Sequence, residues 1–148
     1  MHKRFFKYWL PVIIWMSVIF WMSTGMFSYE QTSRVIVPIL HFLFPWLSPY
    51  HVNVLHGLIR KSAHITEYFI LGFLLFCAFR SGASQKWCLR WTIYTIVGVV
   101  LYAASDEFHQ SFVASRTASI IDVGIDSAGG LLFQIAIVLG VKIWGHSN

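Results

Sequence analysis

The chain has 148 residues, of which 57% are hydrophobic and only 11% are charged, and its mean hydropathy is +0.64. Soluble domains carry about 25% charged residues, so this deficit excludes an ordinary soluble domain and indicates one compact membrane domain over residues 1–148. The net charge of +5 does not indicate nucleic-acid binding, because the basic residues lie between apolar runs rather than on one polar face.

Four segments are long and apolar enough to cross a bilayer as helices. A hydrocarbon core about 30 Å thick needs roughly 20 apolar residues in a helix. The segments are residues 8–27, 62–79, 91–108 and 123–144. The sequence therefore predicts an all-α integral membrane protein, a bundle of four transmembrane helices.

Two stretches need a separate interpretation. Residues 35–47 are apolar but short, with two prolines and a histidine, so we expect an interfacial or re-entrant segment there. The first span follows basic residues, as a signal peptide would, but its apolar run is longer than the usual 7–15 residues and no A-x-A-like site follows. We therefore expect it to be retained as a membrane anchor.

The basic residues predict that both termini are cytoplasmic. With this orientation seven lysines and arginines lie inside, namely Lys3, Arg4, Lys7, Arg80, Lys86, Arg90 and Lys142. Four lie outside, namely Arg34, Arg60, Lys61 and Arg116. An excess of basic residues marks the cytoplasmic side. All six acidic residues then fall on the outer side, at Glu30, Glu67, Asp106, Glu107, Asp122 and Asp126.

Polar residues gather where the second span begins, within the stretch RKSAHITEY of residues 60–68. Lys61, His64 and Tyr68 share one face of a helix, and Glu67 borders that face. An isolated histidine elsewhere is more often a surface or interfacial group, and we interpret His2, His41, His51, His56 and His146 in that way.

The end of the third span and the start of the fourth bring further charge to the same side. Asp106, Glu107 and Gln110 close the third span, and Asp122 and Asp126 open the fourth. Arg116 lies in the loop between them, which completes the set. A charge at mid-bilayer costs about 2.5–3.5 kcal/mol, so such groups pair or line a wet cavity. We expect the three stretches to meet at the outer leaflet.

These stretches resemble the three signature blocks of the VanZ-like family. Residues 60–72 contain a basic-x-x-His-x-x-Glu-Tyr run, residues 105–116 an Asp-Glu-x-x-Gln run, and residues 116–130 an Arg followed by two Asp among small residues. The resemblance covers about half of the chain. It places these residues at the family's signature positions: Lys61, His64, Glu67, Tyr68, Asp106, Glu107, Gln110, Arg116, Asp122 and Asp126.

The resemblance implies a cell-envelope role, since the family's namesake is associated with resistance to the glycopeptide teicoplanin in Gram-positive bacteria. It does not imply a defined reaction. One departure is visible, because the loop that is usually rich in Pro and Gly reads VASRTASI here, over residues 113–120.

The residues leave three functions open. In an enzyme acting on a lipid-linked envelope substrate, the general acid/base candidates are His64, Glu67, Asp106 and Glu107. The candidates for holding the substrate are Lys61, Tyr68, Gln110, Arg116, Asp122 and Asp126. A binding protein for a lipid or lipophilic drug would use the same site without turnover. In a scaffold, the charges would form only a structural ion-pair network.

The predicted partner is a membrane lipid or a lipid-linked envelope component, with no nucleic acid. No metal ligands are assigned, because no close spacing such as H-x-x-x-H exists, although a divalent cation held by His64 and the acids stays open. A transporter is less favoured, since polarity confined to one leaflet offers no path across the membrane.

Overall fold

The computed structural model describes residues 2–145 of the chain, and within them it is entirely α-helical apart from loops and one short 3-10 turn. The elements are α1 (His2–Met22), the 3-10 turn (Gly25–Phe27), α2 (Tyr29–Leu43), α3 (Pro49–Arg80), α4 (Leu89–Gln110) and α5 (Ile120–Gly145). The predicted all-α class is confirmed.

Within the described residues, three helical stretches are long and apolar enough to cross a membrane, namely Phe5–Met22, Pro49–Arg80 and Ile120–Ile143. Large apolar side chains such as Phe73, Leu139 and Ile143 stay exposed on these helices, as contact with lipid requires. α4 is not among the three, since its apolar centre lies between Arg90 and the acidic pair near its end. The expected count of four spans therefore stays a prediction.

The helix boundaries differ from the predicted ones in two places. Most of residues 35–47 belong to α2, which starts earlier, after the N-cap Ser28, whose hydroxyl accepts a hydrogen bond from Gln31 N. The interfacial or re-entrant position of this segment stays a prediction. α3 begins at Pro49 rather than at residue 62. Ser48 caps it and proline is favoured in the first turn, so local signals outside the apolar run set this boundary.

α1 ends at Met22 rather than at residue 27 because a distant arginine binds its last carbonyls. The guanidinium of Arg116 donates from Nη2 to Met22 O at 2.6 Å and to Thr24 O at 3.0 Å, and from Nε to Thr24 O at 3.3 Å. Met22 and Thr24 lie at and beyond the last turn of α1, so the cation supplies donors that the helix does not, in addition to the Phe27 N–H that donates to Thr24 O. The chain then turns through Gly25, where a Cβ would lie only 2.9 Å from Ser115 Oγ.

α3 and α5 run parallel and approach closely through glycines. A Cβ on Gly72 would lie 3.1 Å from the Cα of Gly130, and a Cβ on Gly130 would lie 2.7 Å from Val99 of α4. A Cβ on Gly129 would meet the backbone carbonyl of Ile65. Small residues let helix backbones approach in this way. Gly124, on the same helix, has nothing within 4 Å of a Cβ position.

α1 and α4 run opposite to α3 and α5. Trp15 Nε1 donates to Glu67 O at 2.9 Å, and the Tyr102 hydroxyl donates to Met16 O at 2.5 Å, which ties α1 to α3 and to α4. The core between the helices is formed by Val12, Ile19, Tyr68, Leu71, Leu75, Ala78, Val99 and Ala103. The ends of α1 and α4, the start of α5 and residues 60–67 within α3 therefore lie together, and we call this the polar end.

Substituting Gly129 tests whether the helix contact sets the stability of the bundle. We expect Gly129→Ala to lower the free energy of unfolding by about 1–3 kcal/mol, because the new methyl group meets backbone that cannot rotate away. Gly124→Ala on the same helix is the control and should be neutral or slightly stabilising, since alanine is the better helix former. Thermal unfolding in detergent measures both; equal midpoints would contradict the packing role.

Substituting Arg116 tests the cap on α1. Arg116→Met removes the three hydrogen bonds to Met22 and Thr24, and we expect a loss of about 1.5–3 kcal/mol, the value of a hydrogen bond to a charged group. Arg34→Met, at an exposed arginine of α2, is the matched control and should leave the thermal midpoint unchanged. A midpoint for Arg116→Met equal to that of the control would show that the cap does not stabilise the fold.

Candidate functional site

Three adjoining cavities lie at the polar end, and Arg60 and His64 line all of them. Their volumes are about 120, 280 and 230 Å³. Ligand sites in proteins are concave and carry a few converging polar groups in largely apolar walls. The cavities bring α1, α2, α3, α4, α5 and the loop 111–119 to one place.

The smallest cavity, which we call the apolar cavity, lies between α1, α2 and α3. Its apolar lining comes from Ile19, Met22, Phe27, Ile36, Ile59 and Ala63. Its polar lining is Ser23, Thr32, Arg60, His64, Glu67, Asp106 and Arg116. The lining of this cavity is therefore partly apolar and partly charged.

The other two, which we call the polar cavities, lie on the far side of Arg60 and His64. One is lined by Lys61, Asp122 and Asp126 together with Tyr29, Gly57 and Ile125. The other is lined by Tyr29, Glu107, Gln110, Ser115, Arg116, Thr117 and Asp122. The three stretches that the sequence placed at one leaflet therefore border the same space.

His64 and Asp126 form an ion pair between α3 and α5. His64 Nδ1 lies 3.3 Å from Asp126 Oδ1, and Asp126 is fully buried. The orientation of the two groups is not that of a hydrogen bond, since neither atom has such a partner in the described part of the chain. The histidine is a quarter exposed and reaches the cavities, so the buried aspartate holds one ring nitrogen while the ring borders open space.

The carboxylates of α4 are held by different partners. Asp106 accepts a hydrogen bond from Gln110 Nε2 at 3.1 Å through Oδ2, while its buried Oδ1 has no hydrogen-bond partner among the described residues. Glu107 accepts from the backbone N–H of Ser119 at 2.8 Å, which fixes the loop ahead of α5. Glu107 therefore fixes the loop, whereas Asp106 lines the apolar cavity and has one buried oxygen without a hydrogen-bond partner among the described residues.

The arginines bind oxygens of the backbone and of a hydroxyl rather than carboxylates. Arg60 donates through Nη1 to Phe27 O at 2.8 Å and to Thr32 Oγ1 at 2.9 Å. Among the described groups of the polar end, His64–Asp126 is the one ion pair. Between them, Arg60 and Arg116 share cavities with five carboxylates, and no ion pair with any of these is formed among the described residues. A buried polar group without a hydrogen-bond partner lowers the free energy of unfolding by about 1–3 kcal/mol, and a charged group lowers it by more.

Tyr68 and Lys61 were predicted to share one helix face with His64 at the site, but they lie in different surroundings. Tyr68 is fully buried in the core, 6.3 Å from the ring of Tyr102, and lines none of the three cavities. Lys61 is exposed at the rim of one polar cavity. The structure brings the other eight together: His64, Glu67, Asp106, Glu107, Gln110, Arg116, Asp122 and Asp126.

Sequence reasoning missed Arg60 as a site residue. It stands four residues before His64, so both lie on one helix face, and that spacing was available as a signal. Tyr29 and Thr32 of α2 had no such signal, because α2 comes to the site only through packing on α3.

The surface interpretation of His56 is wrong. His56 is fully buried, with Nε2 3.1 Å from Thr32 Oγ1 and its ring 4.5 Å from that of Tyr29. It links α3 to α2 instead of facing water. His146 lies outside the described residues, as does the side chain of His2.

No group of three histidine, cysteine or acidic side chains converges as a metal site among the residues that the structure describes. Cys77 and Cys88 are both free thiols. The arrangement suits recognition of polar groups by arginine and carboxylate, and proton transfer by His64.

Comparison with known proteins agrees with the three blocks of residues. A sequence model of the VanZ/LLP1 family matches residues 8–141, which extends the resemblance from the site to α1, α2 and most of α5. Neither a curated protein nor a solved structure matches the chain. The match covers most of the chain, and the protein belongs to the VanZ/LLP1 family.

Proposed function

We propose that this protein binds a lipid-linked component of the cell envelope in the joined cavities of the polar end, at the outer leaflet of the membrane. The observation that carries the proposal is that one cavity is lined by groups of both charge signs that form no ion pair with each other among the described residues. They are the basic Arg60 and Arg116 and the acidic Glu67 and Asp106. A ligand that contacts both the arginines and the carboxylates would pair with these charges.

The scaffold alternative is less well supported. Charges that only hold helices together are expected to pair with each other, because a buried charge without a partner is destabilising. Within the described polar end one such pair is made, His64–Asp126, and the arginines bind carbonyls instead. A role confined to helix assembly leaves Asp106 and Glu67 at the cavity without an explanation.

Catalysis is the second candidate function, and the His64–Asp126 pair favours it. A carboxylate beside one imidazole nitrogen orients the ring and stabilises its protonated form, which leaves the other nitrogen to exchange a proton with a bound group. Glu67 and Asp106 line the same cavity and are the further acid/base candidates. A reaction at this site would transfer a proton to or from the head of the envelope component.

Membership of the family supports a link to glycopeptide resistance as the cellular outcome of this binding. The proposed topology has four spans, with α4 as the fourth, and both termini in the cytoplasm. Burial of Asp106 and Glu107 against α3 and α5 supports a membrane position for α4 despite its charges.

Cysteine labelling tests the orientation. In a Cys77→Ala, Cys88→Ser background, we expect Thr117→Cys, at the exposed rim of a polar cavity, to react with an impermeant maleimide on intact cells. Gln85→Cys, in the loop between α3 and α4 at the other end, should react only after permeabilisation. The reverse pattern would place the site in the cytoplasm and would contradict an outer-leaflet ligand.

Site variants test the function in cells. In a glycopeptide-sensitive host, we expect the wild-type protein to raise the teicoplanin concentration that inhibits growth, and Asp106→Asn or His64→Ala to abolish that rise at normal membrane levels. Glu30→Gln removes an exposed carboxylate of α2 and should retain the effect. If exchanging the pair, with His64→Asp and Asp126→His together, restores what each single change loses, the scaffold alternative is correct instead.

A further inference from the structure

Arg60 and His64 line the apolar cavity and both polar cavities, so a molecule bound at these two residues borders both kinds of space. We infer that the ligand is an amphiphile with a phosphodiester and hydroxyl groups in its head: its chain lies in the apolar cavity, its phosphate meets Arg60 and Arg116, and its hydroxyls donate to Asp106 and Glu67. The inference rests on the proposed function and names the ligand class of that site.

The apolar cavity fits a hydrocarbon chain that arrives from the bilayer. Its walls come from Ile19 and Met22 of α1, Ile36 of α2 and Ile59 of α3. Ile59 is 39% exposed, so this wall reaches the outer surface of the bundle. That surface would face lipid if α3 spans the membrane, and a chain would enter there without crossing water.

The two arginines suit a phosphate. The hydrogen bonds of Arg60 to the protein both run through Nη1, and those of Arg116 run through Nε and Nη2. Each guanidinium therefore has a further nitrogen for a ligand. Arginine N–H groups bind phosphate oxygens with charge-assisted hydrogen bonds, which are stronger than those between neutral groups.

The carboxylates explain why a phosphate alone is not sufficient. Glu67 and Asp106 line the apolar cavity together with the arginines, so a bare anion gains from two cations and is repelled by two anions. Asp106 is only 3% exposed and its Oδ1 has no partner among the described residues. A hydroxyl next to the phosphate would supply the missing donor, and a head of this kind satisfies charges of both signs.

Binding to the purified protein in detergent, measured by native mass spectrometry, tests the ligand class with four probes. Dioleoyl phosphatidylglycerol carries chains, phosphate and hydroxyls; dioleoyl phosphatidylmethanol lacks the hydroxyls; dioleoylglycerol lacks the phosphate; and sn-glycerol 3-phosphate lacks the chains. We expect phosphatidylglycerol to bind about tenfold or more tightly than each of the other three, since each lacks one hydrogen-bonding or apolar contribution.

Two variants separate the contributions of the head. Asp106→Asn should remove the preference for phosphatidylglycerol over phosphatidylmethanol. Binding of phosphatidylmethanol itself should not weaken and should tighten if anything, because one carboxylate that repels the phosphate is lost. Arg60→Gln should weaken both lipids by about tenfold to a hundredfold, because both carry the phosphate. Glu30→Gln is the control and should change neither. Thermal midpoints of all variants show whether a loss of binding follows from a loss of folding.

Three results would overturn the inference. Equal binding of phosphatidylglycerol and phosphatidylmethanol to the wild-type protein would remove the role of the hydroxyls. Binding of sn-glycerol 3-phosphate as tight as that of phosphatidylglycerol would indicate a site for a free phosphate ester. If no probe binds, the ligand class is wrong; the proposed function then stands or falls separately on the growth assay with Asp106→Asn and His64→Ala.

Discussion

The close approach of α3 and α5 is the contact on which the rest of the structure depends. Gly129 and Gly130 allow backbone to meet backbone, and this fixes the register of the two parallel helices. One turn before Gly129, that register places Asp126 against His64 at 3.3 Å. A larger side chain at the glycines would move α5 outward and separate the pair, so packing of the apolar part determines the geometry of the polar end.

Arg60 and Arg116 both bind backbone carbonyls and line the cavities. Arg116 and Arg60 satisfy carbonyls where α1 ends and where the chain enters α2, so they order the segment that closes one side of the cavities. Because backbone oxygens are neutral, these bonds leave the positive charge uncompensated. The hydrogen-bond donors to Asp106 and Glu107, an amide and a backbone N–H, are neutral as well. The cavities that these residues share with the arginines are therefore suited to a ligand of mixed polarity.

Much of the helix content followed from periodicity and length, but the helix ends did not. The apolar runs predicted helices near residues 8–27, 62–79, 91–108 and 123–144. The last three lie within observed helices, and the first extends beyond the end of α1 at Met22. Hydropathy could not locate the end of α1, because Arg116 sets it from a position far along the chain. The start of α3 was missed because Pro49 and the following polar residues do not belong to an apolar run, although Ser48-Pro49 is a good helix start.

The sequence by itself determined the class of the protein, its family and the gathering of acidic and basic residues near three helix ends, because hydropathy, charge order and motif spacing are properties of the chain alone. Only the tertiary structure decided which of those residues share a cavity. In the tertiary structure Tyr68 lies in the core and His56 is buried. Arg60 and Thr32 lie at the site. The reason is that side-chain direction depends on how neighbouring helices rotate to bury their small and apolar faces, and helices distant in sequence set that rotation together.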